Sequence, residues 1–458
     1  MKKYLFGLIV IISSCQKTEH KDLWQAVIVP ASPVSDSVPL KGTIKGTMLA
    51  GKTYTIGGDV IINEGDTLRV QEGVTVNITG KYGIGVKGSL ICIGTKDKPN
   101  RFTFPGLTKT DQYGADPSKD SAFVGKWIGI IGATTCPMMI IKWTHIEFGG
   151  AAIPSSSPIK QIFANPYPVF FQNPGGIFVL EDSWIYGSVD DPFRILGGKI
   201  GVFRNTFEKC GYTGGEAMNA KSGTIGNFAY NLCIGMATNG PKLSNSGAPI
   251  GVPGSNVRMY NNTIVNCGYR RLAAGRGGSI NFEEGAGGMA YNNIIVNCKF
   301  GLRVVQNPIA DTANLRYGYN WTYADSPSVA NNIYPSFKVS VCITQSMPTD
   351  IPAPSSFLPA GWQPGDTYTA PASILGANNP QFISGPIPMP AGLHLADIST
   401  VGSYNFRLKT GSPCIGKGYT GFAPRTDVPV DPIHGVTEIT PPGRDLGAYQ
   451  FDGTGNQH

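Results

Sequence analysis

The order of apolar and polar residues along this chain is that of short strands. From about Leu40 to Phe104, apolar positions recur in brief runs: Val60-Ile61-Ile62, Leu68-Arg69-Val70, Val74-Thr75-Val76-Asn77-Ile78 and Leu90-Ile91-Cys92-Ile93. Asp59, Gly65-Asp66, Glu72-Gly73 and Gly88 separate them with turn chemistry. A period of two sends alternate side chains to opposite faces of a strand, and no stretch shows the helical period instead. A polar excursion at Thr108 to Ser121 interrupts the pattern, which resumes at Trp127-Ile128-Gly129-Ile130-Ile131 and at Met139 to Phe148. A second excursion, rich in Pro and Ser, runs from Ile153 to Pro174, and the most regular strands lie between Gly176 and about Trp321.

Within that stretch a phrase returns. Tyr260-Asn261-Asn262-Thr263-Ile264-Val265-Asn266-Cys267 reappears as Tyr291-Asn292-Asn293-Ile294-Ile295-Val296-Asn297-Cys298, an offset of 298 − 267 = 31 residues. Weaker copies stand at Arg204-Asn205-Thr206-Phe207-Glu208-Lys209-Cys210, Tyr230-Asn231-Leu232-Cys233 and Tyr319-Asn320-Trp321. A repeat of this length, β-branched and Gly-punctuated, describes a solenoid whose coils are strands and tight turns. The pattern is similar to a right-handed parallel β-helix, and the expected fold is all-β: a single right-handed parallel β-helix solenoid with an irregular C-terminal cap. Stacking should align Asn at one corner, place Val265 and Val296 inward, and line up Cys210, Cys233, Cys267 and Cys298 as small apolar side chains inside. The solenoid is expected over residues 40–335. After Pro335 the chain becomes Pro-dense, and Gly411-Ser412-Pro413-Cys414-Ile415-Gly416 and Asp445-Leu446-Gly447-Ala448-Tyr449 resemble the closing motif of bacterial β-helix proteins. Residues 336–458 are therefore expected to form terminal coils and a cap, since a last coil otherwise presents an open sheet edge.

Composition agrees with this. Of 458 residues 60 are Gly and 35 Pro, more turn chemistry than a helical protein tolerates, and 41% hydrophobic content suffices for a long core. The net charge of +7 comes without a basic run, which sets nucleic acid aside as a partner and permits an acidic polysaccharide. At the N-terminus Lys2 and Lys3 precede a short apolar run, Leu5 to Ile12, too short to span a membrane. The following Ile12-Ser13-Ser14-Cys15 resembles a bacterial lipobox. That resemblance implies a lipoprotein signal peptide at 1–14, lipid on Cys15, a tether over 15–39, and anchoring to the bacterial outer membrane or cell surface. Outer-membrane transport proteins would then be natural partners. The nine Cys show no metal-like spacing and the five His are scattered, which disfavours zinc and a His-based triad.

Aligned on the Tyr-Asn corner and read back about eight positions, Arg194, Lys221 and Glu283 fall near one column, with Lys242 in an intervening coil and Asp190-Asp191 in a turn just before Arg194. Outward side chains in such a column would floor a groove. Gly215-Glu216-Ala217-Met218-Asn219-Ala220-Lys221-Ser222 resembles the active-site coil of the polysaccharide lyases typified by chondroitinase B and the β-helical alginate lyases, members of a pectate-lyase-like superfamily. The resemblance implies Lys221 as the base that removes the proton α to a uronate carboxyl, Glu216 as a ligand of calcium, and Lys242, 242 − 221 = 21 residues on, as the cation near the leaving oxygen. Arg194, Asp190, Asp191 and Glu283 would contact substrate. The sequence also departs from that family. Lys242 replaces an Arg, Gly214 stands where a second acidic ligand belongs, and the expected Asn of the preceding coil is not evident. Asp190-Asp191 lacks the Gly-His-Gly that accompanies polygalacturonase aspartates. Three readings stay open: a surface polysaccharide-binding protein accessory to glycan uptake, with Trp184, Tyr186, Tyr269 and Trp321 available to stack on sugars; a lyase; or a structural or adhesive solenoid.

Overall fold

A computed structural model describes residues 32–109, 120–212, 214–247, 251–271, 277–305, 310–311, 313–333, 340–342, 351–352, 374–388, 404–428 and 439–458. Cys15 and the expected signal peptide lie outside them, as does most of the expected tether. The described chain is a parallel β-helix whose regular elements are nearly all strands. One coil is built from Ile177–Glu181, Trp184–Ser188 and Phe193–Ile195, and the next from Gly198–Phe203, Thr206–Cys210 and Met218–Ala220. Each strand pairs in parallel with its counterpart one coil on. The first face is a ten-stranded sheet running from Gly46–Met48 to Leu315–Gly318, and the other two faces share a 21-stranded sheet. The third face continues past the expected boundary, because Ser340–Cys342 pairs in parallel with Arg303–Val305.

The corner between the first and second faces carries the Asn ladder. Asn205, Asn231, Asn262, Asn293 and Asn320 stack, each donating its amide to the side-chain oxygen of the next at 2.8–3.1 Å. The same amide nitrogens also donate to backbone carbonyls of the preceding strand, as from Asn262 to Phe228 at 3.1 Å. The residue before each ladder member, Arg204, Tyr230, Asn261, Asn292 or Tyr319, turns the corner with φ of 50–59°. Replacing Asn262 by Leu would orphan the buried backbone N–H of Asn231 and remove one of the two acceptors of its side-chain amide, which keeps Val202 O. We expect a cost of about 1–3 kcal/mol for each donor left unpaired, read as a lowered thermal midpoint.

Inside, Cys233, Ile264 and Ile295 form one column and Cys210, Cys267 and Cys298 contribute to the same core, all buried and free of disulfides. The expectation for Val265 and Val296 is corrected. In the three-residue strands Thr263–Val265 and Ile294–Val296 only the middle side chain enters the coil. Val265 and Val296 point outward, and they are buried because C-terminal residues cover them: Phe382, Ile387, Phe406, Leu408, Leu446, Ala448 and Tyr449 pack with them in a second apolar layer. The covering segment lies along the flank of the coils. Gly447 N–H donates to Asn292 O at 2.9 Å, Ala448 N–H to Thr263 Oγ1 at 2.9 Å, and the Asn456 amide to Asn205 O at 3.0 Å. The two closing phrases meet where Leu446 N–H donates to Cys414 O at 3.1 Å.

Candidate functional site

The third face arranges the charged residues differently from the corner alignment. Strand register places Arg194, Asn219, Lys242, Asn281 and Arg303 in one outward column. Two residues further along each strand, Lys221 follows Ala220, and Ser244 pairs with Glu283. Glu283 therefore belongs to the Lys221 column, and Arg194 to that of Lys242. Each strand reads polar–apolar–polar, as in Asn219-Ala220-Lys221, Lys242-Leu243-Ser244 and Asn281-Phe282-Glu283, with the apolar residue inward. That triplet was visible in the sequence and would have found Asn219, Ser244 and Asn281, which corner alignment missed.

Asp191, in the turn before Phe193–Ile195, is the hub. It is fully buried. One carboxylate oxygen accepts from the Glu216 backbone N–H at 2.9 Å; the other accepts from the Asn219 amide at 2.8 Å and from Arg194 at 3.4 Å. Arg194 also donates to the Tyr167 hydroxyl at 2.9 Å. Lys242 Nζ lies 2.7 Å from Glu216 Oε1. One oxygen from each of Asp190, Asp191 and Glu216 falls within 4.8 Å of the others. The gap noted at Gly214 has a partner in this arrangement: a Cβ there would sit 2.0 Å from Asp190 Oδ1. Asp190, reaching from the preceding coil, fills the space of the acidic side chain that position 214 lacks. These groups line a recess of about 310 Å³ together with Arg271.

Lys221 stands at the adjacent position, 7% exposed, which is more enclosed than an open groove floor would be. Its ammonium donates to Ser244 Oγ at 2.9 Å and Ser246 Oγ at 2.8 Å, and Ser244 in turn donates to the Glu284 carboxylate. Glu283 accepts from the Asn281 amide at 3.0 Å.

The environment drives the two lysines apart. Burial, then the charges of Lys242 and Arg194, bring Lys221 down to about 8 against the pull of Glu284 and Glu216. Burial also opposes the charge on Lys242, but Glu216, Glu283 and Asp191 hold it above the usual lysine range. Among the acids, burial and repulsion from Glu216 push Asp190 and Asp191 up, Asp191 far up. Glu216 is held well below the carboxylate range: burial resists ionisation, yet Lys242 and its contact with Asp191 outweigh it. Within the trio Glu216 therefore ionises most readily, and Asp190 and Asp191 less so.

The residues fit a hard divalent cation such as calcium. Three carboxylates supply oxygen donors from two successive coils, and the Asn219 side-chain oxygen is buried without a hydrogen-bond partner. Arg271 at the rim adds positive charge beside the recess. Chemically the site offers a recess of mixed charge with a carboxylate cluster able to take a cation, and beside it a lysine whose proton burial and neighbouring cations make easier to release. Of the four aromatics considered for sugar stacking, Tyr186, Tyr269 and Trp321 are buried in packing, Trp321 with its indole N–H on Asn378 O at 2.7 Å. Trp184 lies on the second face, away from this site.

A scan against protein-family models gives no match, and comparisons with curated proteins and with solved structures give none either.

Proposed function

We propose that this protein binds uronate-containing polysaccharide along its third face and cleaves it by β-elimination, with Lys221 as the base. The carrying observation is geometric: Lys221 and Lys242 stand in adjacent outward columns of the third face, Lys242 Nζ 2.7 Å from Glu216 and Lys221 Nζ 2.9 and 2.8 Å from Ser244 and Ser246, an enclosure that lowers the Lys221 pKa and raises that of Lys242. Sites that push paired titratable groups apart assign the acid and base roles. In this reading the neutral Lys221 amine takes the proton α to the uronate carboxyl. As that proton is taken, a carbon–carbon double bond forms and the bond from the neighbouring carbon to the glycosidic oxygen breaks; the departing oxygen, beside the fixed charge of Lys242, takes its proton from water, and Arg194 and Arg271 bind the chain's other carboxylates. Asp190, Asp191 and Glu216 would hold calcium, which when bound neutralises the carboxyl next to the reacting carbon. Likeness of the Glu216 to Ser222 segment to the chondroitinase B and alginate lyase coil points the same way.

A second reading, binding without turnover, has its own support. Lys242 and Arg194 already pair with Glu216 and Asp191, leaving one carboxylate unmatched for a divalent ion. The test is a panel of uronate polysaccharides, with and without calcium, followed by absorbance of the unsaturated product and by affinity. Product formation supports the lyase. Salt-sensitive binding without product supports the accessory binder, and neither leaves a structural solenoid.

We also place the protein on the bacterial envelope, lipid-anchored at Cys15. Replacing Cys15 by Ser should move it from the membrane fraction to the soluble one; unchanged partition would remove the anchor from this reading.

A further inference from the structure

The outward column of the third face changes character at Arg194. In the earlier coils it continues through Phe170, Ile131, Gly85 and Ile61, none of them charged. An apolar strip left in water is unfavourable, and the Pro- and Ser-rich excursion covers this one. Its short helix Ile159–Ile162, with Phe163 and Tyr167, packs on Ile131 and Phe170. Phe163 stacks on Phe170 with ring centres 3.8 Å apart. A Cβ on Gly85 would meet Ile162 Cδ1 at 2.5 Å, so glycine is what lets the helix sit this close. The excursion ends against the acidic recess, where the Tyr167 hydroxyl accepts from Arg194 at 2.9 Å.

Two further sides are closed. Toward later coils, Asn281 and Arg303 of the same column are buried. Arg303 donates to Gly277 O at 2.8 Å and lies 4.6 Å from the centre of the Phe300 ring. Gly278 lies on Asn281, whose side-chain oxygen a Cβ there would meet at 3.3 Å. At the turn between the second and third faces, the buried Arg270 guanidinium donates to Gly211 O and Gly235 O, each at 2.8 Å. Gly211 packs so tightly on Gly214 that a Cβ would sit 2.0 Å from Gly214 O. The excursion, the Gly277–Gly278 backbone and the Arg270 turn thus wall the recess on three sides. Among the described residues, the fourth side leads past Lys221 to Ser246, which is exposed.

A chain that runs through a site needs two ways out, whereas a chain end needs one. The recess, at about 310 Å³, also stands at the low end of the roughly 300–1,000 Å³ usual for ligand sites, which suits a terminal segment rather than a long run of sugars. We propose that the recess receives the end of an acidic glycan chain, with the rest of the chain leaving past Lys221 and Ser246. The inference rests on the uronate reading of this site and adds its mode: the linkage presented to Lys221 lies near the chain end, so elimination there is exolytic.

The test uses the intact protein with alginate, polygalacturonate and chondroitin sulfate, each as polymer and as size-fractionated oligosaccharides. Two quantities are read: product size with polymer viscosity over time, and affinity against chain length. The shortest unsaturated product should appear from the first turnovers while viscosity falls slowly. Affinity per chain should be equal for an oligosaccharide and its polymer, since each carries one such end; a groove that takes internal segments binds a polymer more tightly in proportion to the segments it offers. Mixed long products with a rapid fall in viscosity, or affinity per chain that climbs with length, would overturn the chain-end mode and leave the uronate reading standing. Binding without product leaves the length series to decide alone. Neither binding nor product from any of the three would remove the uronate reading itself, and the chain-end mode with it.

Discussion

Replacing Lys221 by Ala should reduce release of unsaturated product from a uronate polysaccharide by about 10²–10⁴-fold, the usual contribution of a positioned base. Arg at the same position should be nearly as inactive, since a guanidinium keeps its proton at any working pH. Both variants should keep the fold. Lys221 leaves only Ser244 and Ser246 to find other partners, and Ser244 still has Glu284. Lys242→Ala is the informative contrast. It would leave Glu216 buried beside Asp191 without its cation, and so should weaken substrate and disturb the acidic trio together. A Lys221→Ala variant with wild-type turnover would sink the assignment of the base.

In the proposed mechanism the same lysine sets the pH dependence. The active form is the neutral amine, so kcat/KM should rise with pH and level off above about 8, the value to which burial and the Lys242 and Arg194 charges bring Lys221. Removing the Arg194 charge, as Arg194→Gln, takes away one of the cations that disfavour the ammonium. The rise should then move to higher pH. A profile that stays in place in Arg194→Gln while overall activity falls would mean that Arg194 only binds substrate.

How much of this was readable beforehand follows from what each feature demands of sequence. The Asn ladder was legible because amide stacking requires the same residue at the same corner of every coil, so Asn205, Asn231, Asn262, Asn293 and Asn320 advertise themselves. The third face was less so, because it is reached across segments of unequal length. Arg194 precedes its corner residue Arg204 by ten positions, Lys221 precedes Tyr230 by nine and Glu283 precedes Tyr291 by eight. A fixed count back from the corner therefore mixed two columns. Ser244 was missed for the same reason, standing 16 residues before Tyr260. The part played by Asp190 could not be read at all. It rests on a carboxylate from one coil occupying the space of an absent side chain in the next, a relation between Asp190 and Gly214 that no local pattern records.

Val296→Asp gives the second large effect and separates the inner core from the covered flank. Val296 is fully buried, yet it lies outside the coil against the C-terminal segment. An aspartate there meets Val265, Tyr323 and the apolar face of that segment. Burying it unpaired should cost about 3 kcal/mol or more. The chain has a cheaper response than global unfolding, which is to lift the covering segment and let water reach the carboxylate. Ile295→Asp has no such escape, because Ile295 faces the interior between Ile264 and the coil that follows. The expected result is therefore asymmetric. Val296→Asp should make residues after about 404 protease-sensitive while the coils keep much of their cooperative melt. Ile295→Asp should lower the melt of the coils themselves. Equal loss of the main transition in both variants would mean that the C-terminal segment and the coils unfold as one unit, and the flank would then be as integral to the solenoid as its core.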